Sequence, residues 1–235
     1  MRCQSTKWLS YHSTMIQIKK FEGLSDYEPL WEAMKQFTEI RTEDTPDAIW
    51  QVEHKAVYTL GQAGKPEHIL NPKQIPIVHC NRGGQVTYHG PGQVVVYPLL
   101  QLNRYKIFAK EYVESLEDAI IATLAHFGIP DACRKEKAPG VYVPMDDLPG
   151  DGLAKIAALG VKITNGCTYH GLAINVAMDL EPFSGINPCG YEGLRTIDMQ
   201  SLGIKSTVSE VSDKVVEELQ KIFSAKLASA EQVTA

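Results

Sequence analysis

The chain has 235 residues, 44% apolar and 22% charged, with a net charge of −5 at neutral pH. This is the composition of a globular chain with one substantial core, and its acidity speaks against a nucleic-acid binder. No apolar run approaches the ~20 residues of a membrane span. Five irregularly spaced cysteines, Cys3, Cys80, Cys133, Cys167 and Cys189, point to a reducing compartment, the cytoplasm, rather than to a disulfide framework.

The first fourteen residues carry two positive charges and no acid, without the apolar stretch of a secretory signal. A disordered extension, a start at Met15 and an organellar transit segment would each account for them. The domain is therefore read as 15–228, with 1–14 an extension and 229–235 a fraying tail.

Three helices are expected. Ser25 to Arg41 opens with Ser25-x-x-Glu28, the pattern of a capping box, and repeats Tyr27, Leu30, Trp31, Met34, Phe37 and Ile40 at helical spacing. Lys110 to Phe127 stops at Gly128 with Pro130 beyond. Thr207 to about Leu227 opens with Thr207-x-x-Glu210 and should bury Val211, Val215, Leu219 and Ile222.

Between the helices lie β-branched and aromatic runs at 48–54, 56–61, 75–80, 93–100 and 140–143. The runs 155–163 and 167–180 flank Asn165-Gly166, a strong hairpin signal. Segment 144–152 reads as an exposed hairpin loop. Grouped strands separated by helices make the class α+β, a single domain with a mixed sheet core flanked by helices.

Chemistry concentrates in three places. "RGGQVTYHGPGQ" (82–93) holds four glycines in twelve residues. Glycine permits close backbone approach and positive φ, and such a turn can offer amides to a carbonyl or phosphate oxygen. It matches neither a dinucleotide fingerprint nor a P-loop, and a structural hairpin with a bulge explains it equally well, although Arg82 and His89 tilt it toward function. In "INPCGYEG" (186–193) Cys189 sits on turn dipeptides. A nucleophilic thiol needs its pKa lowered by a cation or histidine; Lys155, Lys162, Arg195, His89 and His170 are the candidates, and simple packing is the alternative. Cys167 and His170 are spaced like a metal half-site, but zinc needs two further ligands that no credible position supplies. No metal is expected, and His170 is better placed lining a pocket.

At these residues the sequence resembles a known family, the lipoyl/octanoyl transferases, or lipoate–protein ligase B family. Six motifs in order carry the likeness: "VEH…VYTLGQAGKPEHIL" (52–70), "RGGQVTYHGPGQ" (82–93), "APGVYV" (138–143), "KIAALG" (155–160), "GCTYHGLAINV" (166–176) and "INPCGYEG" (186–193). The resemblance implies the biotin/lipoate protein ligase fold. It implies transfer of an octanoyl or lipoyl group from acyl carrier protein to a lysine of lipoyl domains, the first step of endogenous lipoate assembly on proteins. Those domains occur in 2-oxo acid dehydrogenase complexes and the glycine cleavage H protein. By the same resemblance Cys189 is the acyl-thioester nucleophile, and Lys155 lowers its pKa and moves protons. The acyl-binding positions become Arg82, Gly83, Gly84, Gln85, Val86, Thr87, Tyr88 and His89, then Ala158, Leu159 and Gly160, then Gly171, Leu172 and Ala173, with His170 supporting. The backbone around Leu159-Gly160, or the Cys189 amide, is a candidate oxyanion donor. No cofactor, nucleic acid or membrane partner is implied, and a monomer is expected.

Two other functions fit parts of the pattern. An ATP-dependent ligase of the same fold would use a similar lysine but no cysteine. A non-catalytic acyl-chain or carrier-protein binding module would need neither Cys189 nor Lys155.

Overall fold

The computed structural model describes residues 16–148, 150–188 and 193–232. In chain order the elements are β1 (Gln17–Ser25), α1 (Tyr27–Ile40), β2 (Ala48–His54), β3 (Val57–Leu60), β4 (Ile77–His79), β5 (Val86–His89), β6 (Gln93–Leu99), α2 (Leu102–Tyr105), α3 (Ala109–His126), β7 (Cys133–Arg134), β8 (Val141–Pro144), β9 (Leu153–Thr164), β10 (Cys167–Asn175) and α4 (Val208–Gln232).

Seven strands form one sheet in the order β1-β2-β6-β10-β9-β8-β7, and β4-β3-β5 form a second, smaller sheet. The β1–β2 and β3–β4 pairs are parallel and the remaining pairs antiparallel, so both sheets are mixed, as the α+β class anticipates. The large sheet is covered on both faces. Val94 and Val96 of β6 join the core under α3 and α4, with Leu116, Ile120, Val215 and Leu219. Val95 and Tyr97, pointing the other way, join Leu30 and Met34 of α1. Every residue of β6 is therefore buried, which is why its sequence from Val94 onward reads as an apolar run instead of alternating.

The Asn165-Gly166 hairpin forms as expected. Both residues adopt positive φ (51° and 74°), and Thr164 pairs with Cys167 across a two-residue loop. The Thr207 capping box also forms: the Thr207 N–H donates to Glu210 Oε2 at 2.8 Å, and the Glu210 N–H donates to Thr207 Oγ1 at 3.2 Å.

Other expectations are corrected. Ser25 is the last residue of β1, and α1 begins after Asp26 with no side-chain cap. Pairing of β1 with β2, ending at Ser25–His54, holds Ser25 in the sheet and overrides the local capping signal. Strand β1 itself escapes the periodicity because it is an edge strand with charged residues on it (Lys19, Lys20, Glu22) and almost no buried position. Helix α4 runs to Gln232, past the expected tail boundary, because Ala230 is buried and its carbonyl accepts Lys106 Nζ at 2.7 Å. Ile222 packs against the core without being fully buried. Among the described residues no helix is long and apolar enough to cross a membrane.

Candidate active site

The register of the large sheet brings the separate motifs together. Gly160 pairs with Gly171 and Ala158 with Ala173, while Ala173 pairs on its other side with Val95. Paired residues share a face, so "AALG" on β9 and "HGLA" on β10 form one patch of very small side chains. The glycine-rich stretch 82–89 crosses above this patch, with β5 at its end. Between them lies a narrow cavity of about 50 Å³, enough for a few waters. Arg82, Gly84, Gln85, Val86, Thr87, His89, Ala158, Leu159, Gly160, His170, Gly171, Leu172 and Ala173, all anticipated from the sequence, line it with Tyr27, Val95 and Tyr97. Past Gly84, Gln85, Leu159 and Gly160 it adjoins a second cavity of about 300 Å³, lined also by Gly83, Ala138, Pro139, Tyr142 and Lys155. Tyr88 stands outside both. Its ring lies 5.6 Å from Tyr58 and 5.5 Å, edge-on, from Phe183.

Not every glycine here makes room for a ligand. A Cβ on Gly160 would stand 3.0 Å from Arg82 Cδ, and one on Gly61 would stand 2.9 Å from Arg82 NH1. Gly160 admits the Arg82 side chain, which is 6% exposed, while Gly61 first makes room for the Gly84 carbonyl oxygen. The Arg82 guanidinium donates to Thr59 Oγ1 (3.0 Å), Thr59 O (2.5 Å), Gln85 O (2.7 Å) and Gly83 O (2.9 Å). It is a buried cation that stitches β3 to the glycine-rich turn.

Lys155 is 5% exposed. Its ammonium donates to the Pro139 carbonyl at 3.0 Å and sits 5.3 Å from the centroid of the Tyr142 ring. The 144–152 loop lies just before it. A bond from Met145 N to Gly152 O (2.7 Å) closes the loop at its base, and Lys155 stays paired with Tyr142. On the strand edge away from β8 Lys155 donates its N–H to Arg195 O (2.8 Å) and accepts from Ile197 N–H (3.0 Å). The stretch that follows "INPCGYEG" is thus tied to the backbone of Lys155. Cys189 lies outside the described residues.

Beside Lys155 the sheet has a gap. Pairing of β8 with β9 ends at Val141–Ala157, and the next bond on that edge is Gly83 N–H to Val161 O at 2.9 Å. Alternate residues of a strand turn their N–H and C=O to the same edge, so Leu159, between Ala157 and Val161, presents its peptide groups to the cavity.

At the far end of the inner cavity stands a polar cluster of which sequence reasoning named only His89 and His170. The His54 ring donates from Nδ1 to the Ser25 carbonyl at 3.1 Å, so Nε2 accepts from the Tyr97 hydroxyl at 2.7 Å. His89 Nδ1 meets Gln93 Oε1 at 2.8 Å, and Gln93 Nε2 donates to Asn175 Oδ1 at 2.9 Å. His170 Nε2 meets Asn81 Oδ1 at 3.0 Å, while Tyr27 OH lies 3.4 Å from both His170 Nδ1 and Cys80 Sγ. Burial pushes all three histidines down, His54 to about 4 and His89 and His170 to about 3, the last two helped by the Arg82 charge. All three are neutral at pH 7, and burial likewise raises Tyr27 and Tyr97. His170 holds this place with φ +58° inside a strand, and Gly171 beside it has no room for a Cβ against Val96 O. Tyr27 and Tyr97 read from the sequence as ordinary core positions. The one available signal was the presence of polar side chains within the apolar-rich strands β2, β6 and β10.

Among the described residues no three His, Cys, Asp or Glu side chains cluster as a metal site would require.

Residues 26–220 match the lipoyl protein ligase A/B catalytic domain. The chain belongs to that family. It is 60% identical over 202 residues to an octanoyltransferase of Bordetella petrii, covering 86% of this chain and 94% of that one. The assignment to octanoyltransferases, an acyltransferase class, made from the six motifs is borne out by such relatives. The fold superposes on a bipartite lipoate protein ligase of Thermoplasma acidophilum with a TM-score of 0.70 at 13% identity, covering 93% of this chain and 91% of that one. A biotin protein ligase of Aquifex aeolicus superposes with a TM-score of 0.52 at 11% identity, covering 88% and 70%. The biotin/lipoate ligase fold expected from the motifs is the fold observed.

Proposed function

We propose that this chain is an octanoyltransferase that takes an octanoyl group from acyl carrier protein onto Cys189 and passes it to a lysine of a lipoyl domain. The observation that carries the reading is Lys155: a buried ammonium in a cavity continuous with an apolar slot, bonded through its own backbone to Arg195–Ile197, six to eight residues after Cys189. An opposite charge within ~4–6 Å favours a thiolate over a thiol.

The steps follow from that pair. The Cys189 thiolate attacks the thioester carbonyl, and the carrier thiolate leaves and takes up a proton from the Lys155 ammonium, which becomes neutral. The octanoyl chain then lies along Ala158 and Ala173 under the 82–89 stretch. An incoming lysine amine attacks the new thioester, its proton passes to neutral Lys155, and the Cys189 thiolate leaves. The first exchange is nearly isoenergetic, and the amide product draws the second forward, so neither nucleotide nor metal is needed. This is covalent catalysis in two half-reactions. The Leu159 N–H, free of the ladder on that edge, is placed to donate to the oxyanion. His89 and His170, neutral and fixed, shape the slot.

The acceptors in this reading are the lipoyl domains of 2-oxo acid dehydrogenase complexes and the glycine cleavage H protein, and the enzyme acts as a monomer in the cytoplasm. A gel-shift of lipoyl domain tests it. Octanoyl-acyl carrier protein should support transfer without ATP, whereas octanoate with ATP should not. Transfer only in the second mixture would make the chain a ligase.

A further inference from the structure

We infer that Val95 sets the length of the acyl chain this enzyme accepts; the inference rests on the acyl-transfer reading above. One rung of the large sheet runs Ala158–Ala173–Val95–Val52 across β9, β10, β6 and β2, with all four side chains on the α1 face. Along it the side chains go from small, small to branched, branched. The inner cavity begins at the β9 end, where Gly84, Gln85, Leu159 and Gly160 are shared with the Lys155 cavity, and ends at Val95, Tyr97, His89 and Tyr27.

The length of this rung agrees with eight carbons. Neighbouring strands lie about 4.8 Å apart, so two steps from Ala158 reach Val95 after roughly 9.6 Å. An extended octanoyl chain measures roughly 9 Å from carbonyl carbon to methyl, given carbon–carbon bonds of about 1.5 Å. Its tail would lie over the two alanines and meet the Val95 methyls at the third strand.

The end wall does not yield. Val95 is 1% exposed and backed by Val52. The Tyr97 hydroxyl is held by His54 at 2.7 Å, and that ring is in turn held by the Ser25 carbonyl. His89 is 7% exposed and anchored through Nδ1 to Gln93, and its Nε2 has no partner among the described residues. A longer chain would have to displace these groups or force apolar carbon against that nitrogen.

The test is binding of free octanoate and decanoate by calorimetry, beside acylation from C4 to C12 carrier thioesters. Wild type should favour C8, losing roughly three- to fourfold per methylene removed. Val95→Ala extends the small-residue row by one strand and should move the optimum two to four carbons longer. Ala173→Val moves the step one strand nearer the mouth, roughly 4.8 Å from Ala158, and should lower C8 binding at least tenfold and weaken C6 while sparing C4. An unchanged length profile in both folded variants would overturn the inference, as would wild type that binds no fatty acid. Wild type that binds C8 best, with the predicted shifts, but never acylates would uphold the ruler and sink the transfer reading instead.

Discussion

Gly140 is a glycine because Lys155 and the Ala157 carbonyl oxygen, 2.8 Å from where a Cβ would stand, fill the space beside it. A Cβ at position 140 would stand 2.6 Å from Lys155 Cε and 2.9 Å from Nζ, and Gly140 has φ +138°. The ammonium is thereby held between the Pro139 carbonyl and the Tyr142 ring.

Gly140→Ala should therefore displace the ammonium and strain the backbone together. The expected loss in kcat/KM is on the order of 10²-fold, the range of a mispositioned proton-transfer group. Activity measured at several pH values separates this from simple unfolding, since a displaced cation should also move the pH profile toward the alkaline side as the thiolate loses support. A folded variant with wild-type rate and pH profile would show that Lys155 is not held through Gly140.

The histidine cluster makes stability sensitive to acid. Unfolded histidines titrate near 6.5, while in the fold His54 titrates near 4 and His89 and His170 near 3. Above about pH 6.5 both states are neutral and these groups contribute no pH dependence. Below it the unfolded state binds the extra protons, so stability falls as pH falls, by up to about 1.4 kcal/mol per pH unit for each histidine until its folded value is reached. Urea unfolding at pH 7, 6 and 5 checks this. His54→Gln should flatten the slope by about one proton, and a curve unchanged from pH 7 to 5 would show that the cluster is already charged.

The two capping-box patterns should behave differently. Thr207→Ala removes a formed cap and should cost about 1 kcal/mol. Ser25→Ala removes a side chain that caps nothing in α1 and should cost far less, although the sequence pattern is the same. Equal losses in thermal or urea unfolding would contradict the placement of Ser25 in β1.

That contrast marks where the sequence was readable. Periodicity located α3, α4 and the β9–β10 hairpin because each carries its own local signal: a glycine stop, a capping box, Asn165-Gly166. It missed β1, whose pairing with β2 is non-local and whose residues are exposed and charged. At the site, the motifs named most of the slot, but only register shows Ala158 and Ala173 side by side. Tyr27, His54 and Tyr97 come from α1, β2 and β6 and meet only through tertiary packing, so no spacing rule connects them. Gly160, which the resemblance makes an acyl-binding position, turns out also to admit Arg82.

The central claim is that Cys189 carries the acyl group. The most direct measurement is intact mass after mixing the protein with octanoyl-acyl carrier protein, with Cys189→Ser in parallel. The account predicts a gain of one octanoyl group in wild type, released by hydroxylamine, and none in the variant. No gain in wild type, or the same gain in both, would contradict it.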